Sequence, residues 1–209
     1  MVEKWTPERR RELTRTALLE AAADVFARRG FHGASLEEIA ETAGFTRGAI
    51  YKNFDNKEEM FLAVIDRRIE AQLAAFSTAF EQGVDATDTD RVSEHWHRIM
   101  VSDPEWLALT LEFRLYALRN PEVRERWVAH QRGFKKALVG FIEQQLAAQG
   151  LTLSIPGEKL AGIVLPASQG FAEWAQLDPE EGDNFAAFSD LLIAAVVEQQ
   201  PDEQNRARG

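Results

Sequence analysis

The sequence predicts an all-α protein of about nine helices, and three observations carry that expectation. Apolar residues recur at helical spacing along nearly the whole chain, and no segment shows sustained strand-like alternation. Asp-Pro and Asn-Pro pairs (Asp103-Pro104, Asn120-Pro121, Asp178-Pro179) and glycines punctuate the chain at helix-sized intervals. A capping side chain before proline opens a helix, and glycine closes one.

Taken in order, the first helix runs from Pro7 to Arg29, with Leu13, Ala17, Ala21 and Val25 as its stripe and Leu18 and Phe26 beside it. Arg28 and Arg29 suit its last turn, and Gly30 a left-handed stop. Ser35-Leu36-Glu37-Glu38 has the form of a capping box and opens a short helix ending at Gly44. Thr46 caps a third helix reaching Asn53. Asn56 opens a long fourth one carrying Phe61, Ile65, Ile69, Leu73, Phe76 and Phe80 on one side. After a soft stretch at 81–90, helices are expected over 90–101, 104–118, 121–148, 156–177 and 183–199. The polar tail 201–209 is expected to fray. The domains read as 1–55, then 56–200, then this tail.

The bulk composition excludes several classes. With 45% hydrophobic and 28% charged residues the chain is an ordinary globular protein. No apolar run reaches the roughly 20 residues of a membrane span, and Met1–Trp5 lacks a secretory-signal stretch, so a cytoplasmic protein is expected. The absence of cysteine removes disulfides, thiolate nucleophiles and cysteine metal sites. The net charge of −10 speaks at first against a nucleic-acid partner. Residues 1–60, however, carry 10 Lys and Arg against 11 Asp and Glu, whereas 61–209 carry 14 against 23. The acidity is concentrated in the second part, so a nucleic-acid reading must rest on where individual cations fall.

Two short helices joined through Ala43-Gly44-Phe45 form a helix-turn-helix, which presents its second helix to the DNA major groove. Arg47 sits in that helix's first turn, where its fork can grip guanine O6 and N7. Gly48 and Ala49 are small enough for close backbone approach. Tyr51 and Lys52 can reach phosphates or base edges, while Ile50 and Phe54 turn to the core. Arg9, Arg10, Arg11 and Arg15 at the start of the first helix either form a solvated face or touch phosphates; Arg11 and Ser35 join the expected DNA-contacting set. Lys57 opposes the dipole at a helix N-terminus, a placement that a bound phosphate would explain.

The run Phe26-Ala-Arg-Arg-Gly-Phe31, then Ser35-Leu-Glu-Glu-Ile-Ala40, then Ala43 through Glu59 resembles the DNA-binding domain of the TetR (tetracycline-repressor) family over residues 10–65. The resemblance implies a homodimeric, usually repressing regulator, released from DNA by a ligand held in a variable C-terminal domain. It also implies that Arg47, Gly48 and Ala49 face bases and that Thr46, Tyr51 and Lys57 hold phosphates. Lys52 and Asn53 depart from residues common in relatives, so a different operator is expected. Beyond residue 80 only the helix pattern is shared.

Two other classes compete with this reading, an effector-independent regulator and an all-helical enzyme. The enzyme's best feature is Glu94-His95-Trp96-His97, one Glu-x-x-His without the second pair and inward glutamates that a di-iron bundle needs. No metal, cofactor or catalytic residue is expected. A sensor is favoured by aromatic side chains of the second domain. Trp96, Trp106, Phe113, Trp127, Phe134, Phe171 and Trp174, with His130 and Gln169 as polar members, are the pocket candidates for a small hydrophobic or aromatic effector. Core packing is the alternative for most of them. Pro166, bracketed by Gly162 and Gly170, is expected to kink its helix and leave Ser168 and Gln169 free to bind. The last two helices carry Leu160, Ile163, Val164, Phe171, Phe185, Phe188 and Leu192, more apolar surface than one bundle face needs. They are expected to pair in a homodimer that reads a palindromic operator in double-stranded DNA.

Overall fold

The computed structural model describes residues 6–81, 83, 85, 88, 90–92, 94, 103–178, 180 and 184–199. Eight helices have described bounds: α1 Pro7–Gly33, α2 Leu36–Thr42, α3 Arg47–Tyr51, α4 Lys57–Glu81, α5 Pro104–Arg119, α6 Pro121–Ala148, α7 Gly157–Leu177 and α8 Asn184–Val196. Two short strands, β1 (Leu151–Leu153) and β2 (Val197–Gln199), are described beside them. None of the described helices is long and apolar enough to cross a membrane. The protein is all-α apart from this small sheet.

The chain divides into two compact units, one of residues 1–71 with 105–130, the other of 72–104 with 131–209. The first unit is built on aromatic side chains. Phe26, Phe31, Phe61 and Phe113 are each no more than 1% exposed, and Phe61 stacks on Phe113 at 4.4 Å between centroids. Phe31 meets Phe113 edge-to-face at 4.9 Å, and Trp127 meets Phe113 at 5.5 Å. Each such pair contributes about 0.5–1.5 kcal/mol beyond the area it buries. Leu18, Val25, Ile39 and Ile50 fill the space between the helices. Leu13, assigned to the stripe of α1, is 47% exposed and lies off it.

Gly30 does more than stop α1. Its φ of 70° with ψ of 172° lies in a region only glycine enters readily, and residues 31–33 resume a helical turn after the kink. Glu112 uses that break: its Oε2 accepts the Phe31 N–H at 2.6 Å. Of the capping box at α2, half is made. Ser35 Oγ accepts from Glu38 N at 3.1 Å, but the Glu38 carboxylate turns to Arg29 Nε at 3.1 Å and ties α1 to α2.

In the second unit, α7 begins against α6, and a Cβ on Gly157 would stand 2.5 Å from Val139 Cγ1. Gly150, at φ 70°, turns the chain from α6 into β1. Here the helix expected over 183–199 is corrected: α8 ends at Val196, and 197–199 pair antiparallel with β1, Leu151 opposite Gln199 and Leu153 opposite Val197. Three alternating residues are too few to register as a strand period. The α7 helix runs on through Pro166. Ser168 is not free, since it is buried and its Oγ donates to the Val164 carbonyl at 2.7 Å, the usual refuge of a serine inside a helix.

Candidate nucleic-acid interface

Helix α3 has five residues, too few to hold a helix by itself. It is held by what surrounds it. Ile50 is 0% and Phe54 1% exposed, and they anchor the back of the helix in the core. At its C-terminal end the open carbonyls are met from α1: Arg15 Nη1 donates to Asn53 O at 2.9 Å, and Arg11 Nη2 makes a longer contact of 3.5 Å with Lys52 O. Arg15 also lies 4.3 Å over the Phe54 ring. The two arginines read from the sequence as a solvated face or phosphate contacts therefore brace α3 within the protein.

The opposite side of α3 is open. Thr46, Arg47, Gly48, Tyr51 and Lys52 are exposed, and Ala49 is half-buried. Thr46 stands at the N-cap without a capping hydrogen bond from its side chain, leaving its hydroxyl outward. A Cβ on Gly48 would meet nothing closer than Thr46 Oγ1 at 3.8 Å, so the small residue keeps this surface low. Arg47 is tethered: Nη1 lies 2.8 Å from Glu37 Oε1 of α2, and Nη2 and Nε lie 3.0 and 3.4 Å from the Tyr51 hydroxyl. Tyr51 first, and then the Glu37 carboxylate, raise the guanidinium pKa above its already high ordinary value. The face joins a hydroxyl, a fixed guanidinium, a phenol and an ammonium on one short helix, the donor set that reads phosphates and purine edges.

Lys57 is placed differently from the expectation. Its Nζ donates to Phe31 O at 2.8 Å and Ala34 O at 3.1 Å, with His32 O at 3.5 Å, and lies 4.6 Å from the Phe31 ring centroid. Burial lowers its pKa, against the pull of Glu58 and Glu112. The carbonyls at the end of α1 thus explain a cation at the start of α4, and a phosphate is no longer needed to account for it. Asn56 caps α4 instead, its Oδ1 accepting from Glu59 N at 2.8 Å while Glu59 Oε2 accepts from Asp55 N at 2.6 Å. Glu37 and Glu112 are residues shaping this unit that the sequence reading missed, and Arg15 is one to which it gave a different role. Their partners lie on other helices, where no local spacing signals them.

The aromatic candidates for a pocket divide between the units. Trp106, Phe113, Trp127 and His130 belong to the first, where Phe113 is sealed in the core and Trp106 stacks on Phe61 at 6.4 Å. Phe134, Gln169, Phe171 and Trp174 belong to the second. There Phe171 packs on Phe188 at 5.3 Å and Trp174 is 62% exposed. Trp96, with His95 and His97, lies outside the described residues. Among the described residues no cluster of three metal-ligating side chains occurs.

Comparison with known proteins bears directly on this geometry. The sequence model of "Bacterial regulatory proteins, tetR family" matches residues 18–64, the span from mid-α1 to the first turns of α4. The HTH-type transcriptional repressor AcnR of Corynebacterium diphtheriae is 29% identical over 192 residues, covering 90% of this chain and 94% of its own. Salmonella enterica GusR superposes with a TM-score of 0.62 at 25% identity, over 87% of this chain and 94% of its own. A putative TetR-family transcriptional regulator from Rhodococcus sp. superposes with a TM-score of 0.67 at 20% identity, over 86% and 98%. The exposed face of α3 lies inside the matched span, so it is through its helix-turn-helix that this chain is similar to the TetR family of bacterial transcriptional regulators.

Proposed function

We propose that the protein is a cytoplasmic homodimeric repressor that binds an inverted-repeat operator and is released from it by a small effector. The observation that carries the dimer is a line of uncovered apolar side chains on the last two helices. Ile163, Trp174 and Leu177 of α7 are 47%, 62% and 77% exposed, and Leu191 of α8 is 75% exposed. Positions 163, 174 and 177 fall on one face of α7 at helical spacing. Leaving such a stripe in water is unfavourable, and an isologous contact with a second copy would cover it and set two α3 helices against successive major grooves.

The effector reading is supported inside the first unit. His130 keeps 8% of its side chain exposed, with Nδ1 3.1 Å from Asp66 Oδ1 and its ring stacked on Trp127 at 5.7 Å. In a neutral ring with its proton toward the exposed Asp66 carboxylate, Nε2 is a buried acceptor with no hydrogen-bond partner among the described residues. An orphaned acceptor costs about 1–3 kcal/mol, which a ligand donor would recover. The effector class is therefore a small, largely apolar or aromatic molecule bearing one hydroxyl or N–H. Release requires that it favour the DNA-incompetent state, since equal binding to both would shift nothing.

Light scattering tests the dimer: the expected result is a dimer at micromolar concentration, with Leu191→Lys giving a monomer that loses preference for paired half-sites. A monomeric wild-type chain overturns it. Screening hydrophobic hydroxylated compounds for tryptophan quenching and operator release tests the effector. Compounds that release the wild type but not His130→Phe are expected, and quenching without any release refutes regulation through this site.

A further inference from the structure

Glu37 is an acidic residue on the surface that faces DNA in the reading above, where a carboxylate should only repel phosphates. Its contact with Arg47 gives it another use. An arginine carries five N–H donors in a rigid fork. In this structure the Nε–H and one Nη2–H point to the Tyr51 hydroxyl, and Nη1 is ion-paired with Glu37 Oε1 at 2.8 Å. The Tyr51 hydroxyl takes the Nε/Nη2 edge of the fork, and the end of the fork, one N–H from each Nη, is the pair that can grip guanine O6 and N7. Held from two sides, the side chain is fixed before DNA arrives, whereas an untethered arginine samples many rotamers and reaches phosphates as readily as bases.

Resting on the assignment of Arg47 to a base, we propose that Glu37 and Tyr51 are positioning residues that make Arg47 selective for guanine at one position of each half-site. Glu37 acts twice. It orients the guanidinium, and its charge penalises any complex in which Arg47 leaves it for a phosphate, so non-specific binding is weakened more than specific binding. Glu37 and Arg47 keep 53% and 62% of their side chains exposed, so substitutions there spare the core.

The experiment selects bound DNA from a random pool with the wild type and with Arg47→Ala, Glu37→Ala, Glu37→Gln and Tyr51→Phe, with melting temperature as a folding control. Arg47→Ala should erase one guanine per half-site. Glu37→Ala should lower the preference for that same guanine about tenfold while binding to random DNA strengthens, the two effects an untethered arginine and a lost carboxylate would give. Glu37→Gln keeps a polar oxygen beside Nη1 but removes the charge, and should retain only part of the preference. Tyr51→Phe removes the hydroxyl and should weaken the preference at that position alone. If Glu37→Ala strengthens all sequences by one common factor, Glu37 is merely a repulsive charge and the proposal falls, while the base-reading role of Arg47 stands. If Arg47→Ala leaves the selected sequence unchanged, both fall.

Discussion

Replacing Lys57 with Met separates two roles that one lysine could have. Met keeps the unbranched stem packed and removes only the ammonium. Lost with it are hydrogen bonds of 2.8 and 3.1 Å to Phe31 O and Ala34 O and a cation–π contact at 4.6 Å. A hydrogen bond from a charged donor contributes about 1.5–3 kcal/mol, and an exposed cation–π contact about 0.5–1 kcal/mol. Desolvation of the ammonium, visible in its lowered pKa, opposes both, and water can reach the released carbonyls in part. A net loss of about 2 kcal/mol follows. For a chain of this size that is a fall in Tm of about 4–8 °C.

The assay pairs thermal unfolding with the salt dependence of DNA binding. The expected result is the fall in Tm with the slope of log affinity against log salt unchanged. A phosphate contact would behave in the opposite way: an unaltered Tm, and a slope shallower by about 0.9. That second pattern would refute the assignment of Lys57 to the end of α1.

Two further perturbations probe the same joint. Gly30→Ala forces a side chain into a backbone conformation costing about 1–3 kcal/mol and pushes its Cβ to 2.7 Å from Glu112 Oε2, so Tm should fall by several degrees; an unchanged Tm would show that the kink is not required. Tyr116 donates to Glu58 Oε1 at 2.9 Å, and that bond, with burial, raises its pKa above the ordinary value of 10.0. A raised folded pKa means the bond's stabilisation is present below about pH 10 and is lost as pH climbs through the folded value. In a Tyr51→Phe background, which leaves Tyr116 as the one tyrosine, phenolate absorbance should therefore appear above the ordinary range and return toward it on Glu58→Gln. Equal midpoints with and without Glu58 would remove the hydrogen bond as the cause.

Where sequence spacing and structure agree, the signal was local. Pro121 and the glycine at 150 bracket α6 at Pro121–Ala148 because proline fits a first helical turn and Gly150 takes a positive φ. Ile50 and Phe54 point inward, as their position behind the recognition face required. What escaped the sequence was set by partners distant in the chain. Arg15 and Asn53 are 38 residues apart, Lys57 and Phe31 are 26, and Glu112 and Phe31 are 81. A charged residue at a helix end has many possible partners, and only tertiary packing selects among carbonyls, carboxylates and phosphates. The pocket candidates, divided between the two units, raise a related difficulty. Large aromatics at helical spacing mark burial, and burial inside a core and around a ligand have the same sequence pattern; Phe113 proved to be core.

The division of the chain carries the last consequence. A boundary at residue 55 was expected, yet residues 105–130 are compact with residues 1–71. The reason is the aromatic core, in which Phe113 of α5 supplies a face to both Phe31 and Phe61. Two polar contacts from α5 then fall one helical turn apart. Glu112 holds the Phe31 amide just after the Gly30 break, and Tyr116 holds Glu58 at the start of α4. Lys57 joins the same two places from the other side, through the carbonyls of Phe31 and Ala34. Helix α5 is thus fastened to both ends of a single joint, and α3 is braced in turn by Arg15 of α1. A close-packed aromatic core transmits displacement instead of absorbing it. A rotation of α5 is therefore felt at the kink of α1 and the start of α4 together, and the orientation of the recognition helix depends on a segment more than fifty residues downstream of it.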